Sequence, residues 1–277
     1  MSSASLFRAA LLTSGFAART IHAYTQVNIA TPFMYKNIDP IVFPGEYDRS
    51  HLHSFYGSDA VTVDTQTSEE LRGDCTNAEN PNDMSTYWNP TLLYQSGDSW
   101  EPVPVMRSSA YYGLGDEPAS IPFPENLQML AETLEYAYKD GEPGSYHECP
   151  SGMQAMPQLR FSIRYDMREV VPNGWSGTAP VQLACGPAWC SHGDFINGWT
   201  EESGQALVDA PSLKDEYLSV NGALGNDGDT MSCGATDADP EHGTGDYAES
   251  VEVMSKRSVP AFGWTSRNRL ARSRRGL

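Results

Sequence analysis

The sequence predicts a mainly β fold, an antiparallel sandwich or jelly roll with one or two peripheral helices. Three observations carry that reading. Leu159, Phe161, Ile163 and Tyr165 alternate with Arg160, Ser162, Arg164 and Asp166, the period of a strand with one buried face. Two aromatic-rich runs, 87–94 and 103–112, flank a turn signal at Gly97-Asp98 and read as a hairpin. The 24 glycines and 19 prolines punctuate the chain too densely for a helical bundle.

Taken in order, Met1 to Ala23 has Arg8 ahead of a mostly apolar run and reads as a secretory signal cleaved after Ala23. Residues 24–255 then form one domain, followed by a basic tail at 256–277. Within the domain, 38–55 is extended and turn-rich, and 58–79 is polar enough to be a surface excursion. Residues 125–139 give the best helix, with Leu127, Leu130, Leu134 and Ala137 on one face and Gly141 to stop it. The alternating run at 159–166 is expected at the centre of a sheet, a short helix is expected over 201–210, and 222–249 reads as a loop.

The net charge of −18 understates the acidity of the body. Seven of the 18 basic residues lie from Lys256 onward and two in the first 23 residues. What remains carries 36 acidic against nine basic side chains, a charge near −27. Such a surface repels phosphate backbones, so nucleic acid is excluded as a partner and a neutral glycan is the easier one to accommodate. No stretch is apolar for long enough to span a membrane. Of the five cysteines, Cys185 and Cys190 are placed to close a short loop just before a histidine. The absence of a Cys-x-x-Cys pair argues against a zinc knuckle, and an odd count leaves one thiol over. Oligomeric state is not legible.

Chemistry concentrates in two places. His51 and His53 form one i, i+2 pair, and His192 and Asp194 form another; on a strand that spacing puts both members on one face. If the two pairs lie on adjacent strands, His51, His53, His192 and Asp194 are a ligand set for a divalent metal ion such as Zn, Mn, Cu or Fe. Without a metal, His53 or His192 becomes a general acid or base, with Asp194 fixing a tautomer. His53, His192 and Asp194 are thus the candidate catalytic residues, and Tyr56, Tyr112 and Trp199 the candidate substrate-binding rings. The competing reading leaves the imidazoles bonded to backbone groups in a turn-dense region. No Gly-x-Ser-x-Gly elbow supports a serine hydrolase.

The succession Asp39-Pro40-Ile41-Val42, Ser50-His51-Leu52-His53, Tyr87-Trp88-Asn89-Pro90, Cys149-Pro150-Ser151 and His192-Gly193-Asp194-Phe195 resembles the DUF1996 family of secreted fungal and bacterial proteins over about residues 38 to 234. The resemblance implies an extracellular or wall-associated domain, in relatives often joined to carbohydrate-binding modules, with no settled activity. The chain departs from the family in lacking the central Cys-Trp-Asp-Gly block between Tyr112 and Cys149. It also lacks the cysteine expected near Ala210-Pro211, so the family's disulfide pairing does not carry over whole. The expected function is action on, or binding to, extracellular or cell-wall polysaccharide through the His/Asp cluster, as a metal-assisted or His-based enzyme. The alternative is a non-catalytic glycan-binding module with structural histidines.

Overall fold

The computed structural model describes residues 24–29, 31–113, 121–130, 154–186, 190–209, 220–225 and 234–242. Residues 1–23, expected to be a signal, the basic stretch 256–277, Cys149 and Cys233 lie outside the described residues. Among those described, all strand pairing is antiparallel and three short helices accompany the sheets, a mainly β fold.

A three-stranded sheet has β7 (Val105–Gly113) at its centre, flanked by β1 (Tyr24–Ile29) and β9 (Gln158–Tyr165). A five-stranded sheet runs β2 (Met34–Lys36), β3 (His53–Gly57), β4 (Thr86–Pro90), β11 (Asp194–Ile196), β8 (Gln128–Met129). A smaller sheet places β5 (Leu92–Ser96) between β10 (Val181–Leu183) and β6 (Ser99–Pro102). Helices α1 (Ser68–Leu71), α2 (Met167–Val170) and α3 (Glu201–Asp209) complete the set.

The period-2 geometry of a strand decides which side chain meets which layer. From the five-stranded sheet, Tyr56, Tyr87 and Phe195 pack against Val27, Ile29, Ala110, Tyr112 and Phe161 of the three-stranded sheet, forming the sandwich core. The neighbours that point the other way, Phe55, Trp88 and Ile196, are covered by Ile38, Val61, Val63 and Leu71 from the irregular chain between β2 and β4. Each large side chain so enclosed stabilises the fold by roughly 1.5–3 kcal/mol. The candidate site belongs to this second face.

Four expectations are corrected. The segment 58–79 is a plug rather than a surface excursion, since Val61, Val63 and Leu71 are buried. Its polar residues are spent on the backbone: Thr67 and Glu70 form a capping box at α1, and the Ser58 hydroxyl donates to the Leu71 carbonyl at 2.5 Å. The turn at Gly97-Asp98 is real, but it joins β5 to β6. Thr91 separates β4 from β5, so one predicted strand serves two sheets, while β7 leaves the hairpin to pair with β1 and β9.

The alternating strand β9 is an edge strand, its outward arginines suited to a border that must not pair with another chain. The first part of the expected 125–139 helix is extended. Asn126 adopts a left-handed φ of 59° that interrupts a helix, and Gln128 and Met129 pair with β11 instead. The remainder of that helix lies outside the described residues. The short helix expected over 201–210 is α3.

Candidate metal centre

Residues 38 to 43 fold as a tight turn because the Asp39 carboxylate accepts from the Ile41 and Val42 amides at 3.1 and 2.9 Å, and the Phe43 amide closes on the Asp39 carbonyl at 2.9 Å. That turn lays the Ile38 carbonyl over the start of β3. There His53 Nδ1 donates to it at 2.8 Å. A carbonyl can only accept, so the proton of neutral His53 resides on Nδ1 and the lone pair on Nε2.

The same arrangement recurs at His192, two residues before β11. Its Nδ1 donates to the Cys190 carbonyl at 2.7 Å, and Cys190 is fixed by a disulfide to Cys185. The lone pair of neutral His192 is therefore also on Nε2. The two Nε2 atoms face each other at 3.3 Å. Asp194 Oδ2 stands 3.7 Å from His192 Nε2. The His53 and Asp194 side chains are fully enclosed, and 5% of the His192 side chain is accessible.

Two lone pairs at that distance repel unless a cation lies between them. One candidate is a proton, held by one ring as imidazolium. The other is a metal ion: ligand bonds of about 2.1 Å at a tetrahedral angle set donor atoms roughly 3.4 Å apart, close to the observed separation. His53, His192 and Asp194 each offer an atom within 4.8 Å of the others, so the three fit one ion. Burial, then the neighbouring His192 imidazole, pushes the His53 pKa down to about 3, which keeps its nitrogen free for a metal at neutral pH. His51 is likewise held well below its usual value by burial and the adjacent rings.

The two clusters lie not on adjacent strands but on strands separated by one, since β4 runs between β3 and β11. His53 stands opposite Pro90 and Asp194 opposite Trp88 in the register. Pro90 has no N–H to give the ladder, and this is where the chain leaves β4 for the smaller sheet. His51 packs its ring 4.1 Å from that of His53 and 5.0 Å from that of His192. Its donor atoms group with His192 and Cys185 rather than with Asp194, so the expected four-ligand set reduces to three plus a neighbour.

The three rings proposed to hold substrate are elsewhere. Tyr56, Tyr112 and Trp199 are at most 2% exposed and belong to the core between the two larger sheets, on the side of the five-stranded sheet away from the imidazoles. No face of them is open to a sugar. Tyr112 accepts from Trp199 Nε1 at 3.1 Å and contacts the Tyr87 hydroxyl, which donates to Asp83 at 2.6 Å. A hydroxyl chain of this kind satisfies buried polar groups. The sequence reading also missed the carbonyls of Ile38 and Cys190 that fix both tautomers. Main-chain acceptors leave no residue signature; the Cys185/Cys190 spacing was the nearest hint.

The family model described as "Domain of unknown function (DUF1996)" matches residues 39–136 and 131–199. The chain belongs to the DUF1996 family. The two matched segments overlap at residues 131–136. Both arms of the histidine centre fall inside the match. No curated protein and no solved structure matches the chain. No described helix is long and apolar enough to cross a membrane.

Proposed function

We propose that this DUF1996 domain is exported, binds extracellular or cell-wall polysaccharide, and holds one divalent transition-metal ion at His53, His192 and Asp194. The observation that supports it is the pair of Nε2 lone pairs facing each other at 3.3 Å, each fixed by a carbonyl bonded to the opposite ring nitrogen. Such orientation of ligating imidazoles by acceptors on their far side is the usual outer support of a metal site. Two imidazoles and a carboxylate suit Zn, Mn, Cu or Fe. The enclosure of all three side chains favours an ion that braces the β3–β4–β11 face.

A metal-assisted enzyme is the second reading. What favours it is His51, whose Nε2 is buried beside the centre with no hydrogen-bond partner, where a proton acceptor would be needed. Metal analysis of the purified chain, with incubation on insoluble β-glucan and chitin before and after chelation, tests both. Metal loss that lowers thermal stability and leaves glycan retention intact supports the bracing ion. Release of soluble sugar that stops on chelation and in His51→Ala supports the enzyme. Absence of retention and of release removes the polysaccharide role.

A further inference from the structure

We infer that the Cys185–Cys190 disulfide withholds a sulfur ligand from a second metal site, formed by His51, Cys185 and His192, which becomes available when that bond is reduced. One donor atom from each of these residues lies within 4.8 Å of the other two. His51 Nε2 is buried and makes no hydrogen bond, although a ring nitrogen enclosed without a partner costs free energy. It is an enclosed donor in search of an acceptor or an ion. In the oxidised chain the Cys185 sulfur is bonded to Cys190 and has no thiolate to offer.

The position of Cys185 does not depend on the disulfide. The preceding amide, Ala184 N–H, donates to the Thr91 carbonyl at 2.8 Å, and the following one, Gly186 N–H, donates to the Leu183 carbonyl at 2.9 Å. Both anchors belong to the turn after β10, which the smaller sheet holds. Cleavage therefore leaves Cys185 beside the imidazoles. Cys190 keeps its own tie through the bond from His192 Nδ1 to its carbonyl.

The chemistry balances with an external dithiol as reductant: the S–S bond breaks, the dithiol closes to its own disulfide, and its two electrons and two protons appear as the thiols of Cys185 and Cys190. On binding a divalent ion the Cys185 thiol releases its proton to solvent. Two imidazoles with a thiolate form a softer set than two imidazoles with a carboxylate, and favour Zn or Co over Mn or Mg. His192 is common to both sets, so they compete for one ion and the oxidation state of the disulfide selects between them. This second site goes beyond the His53, His192 and Asp194 reading and needs neither His53 nor Asp194.

Cobalt(II) titration of the full chain separates the two, because a thiolate ligand gives an intense near-ultraviolet charge-transfer band and nitrogen and oxygen ligands do not. In a Cys75→Ser background, which removes the free thiol that lies with Asp59 and Asp74, the band is expected in the reduced protein and absent from the oxidised one. Cys185→Ser and His51→Ala should lose it, and His53→Ala should keep it. Cys190→Ser, which leaves Cys185 without its bonding partner, should show it with no reductant, a gain of signal that a misfolded variant would not give. Absence of the band from the reduced Cys75→Ser protein and from Cys190→Ser overturns the inference, as does its persistence in Cys185→Ser. Oxidised protein that binds cobalt weakly and equally in wild type and His53→Ala overturns the His53 centre while leaving this site standing.

Discussion

Gly193 lies against the ring of Phe161 so closely that a Cβ on it would come within 2.4 Å of the ring's Cδ2. The contact joins the two layers at the residue between His192 and Asp194, whose side chains point the other way. A larger residue must push β9 outward or push the histidine centre off its geometry. Gly193→Val should therefore destabilise the fold by about 1–3 kcal/mol and weaken metal binding at least tenfold. Gly193→Val in a Phe161→Ala background should recover much of the affinity. Isothermal titration with zinc checks this, and equal affinity in Gly193→Val and wild type would contradict it.

Acid stability of the metal-free protein depends on buried groups of opposite sign, His53 and Asp83 among them. His53, ordinarily near 6.5, is held at about 3, so the unfolded chain takes up a proton that the native one refuses. Its contribution is lost as pH falls below 6.5, by about 2 kcal/mol at pH 5. Asp83 is raised by burial from 3.8 to about 7. It keeps its proton in the fold where the unfolded chain has lost it, so its contribution is full below pH 3.8 and disappears as pH rises to 7. The two oppose each other between about pH 4 and 6.5. Asp83→Asn removes one of them, and its urea midpoint in the presence of a chelator should climb more steeply with pH over that window than that of the wild type. Parallel profiles would refute the assignment.

Tyr112→Phe separates a structural ring from a sugar-binding one. The variant loses the acceptor for Trp199 Nε1 and a contact to Tyr87 inside the core between the two larger sheets. A loss of about 1–3 kcal/mol is expected by denaturant titration. Retention on glycan at a temperature where both proteins are folded should be unchanged. A selective loss of retention would return Tyr112 to the binding surface.

Periodicity made the β class legible, because strand alternation in 159–165 and the Gly97-Asp98 turn depend only on local chemistry. The partners of those strands were not legible. One uninterrupted run of letters, 87–94, is divided at Thr91 between two sheets, where the Thr91 amide donates to the Leu52 carbonyl and the Thr91 carbonyl accepts from the Ala184 amide. The polar segment 58–79 looked like surface because its hydroxyls and carboxylates are conspicuous, while Val61, Val63 and Leu71 are few. His53, His192 and Asp194 were identifiable from residue type and spacing. Their meeting across an intervening strand was not, since β4 carries no ligand of its own. Tyr56 misled for a physical reason: three places along β3 from His53, its side chain points to the opposite face of the sheet.

The central claim is that His53 and His192 share one ion. Oxidised full-length protein should be dialysed against zinc, desalted, and measured for bound metal, beside His53→Ala and His192→Ala. Close to one zinc per wild-type chain is expected, and less than a tenth of that in either variant. Wild-type protein that retains no more zinc than the variants would contradict it.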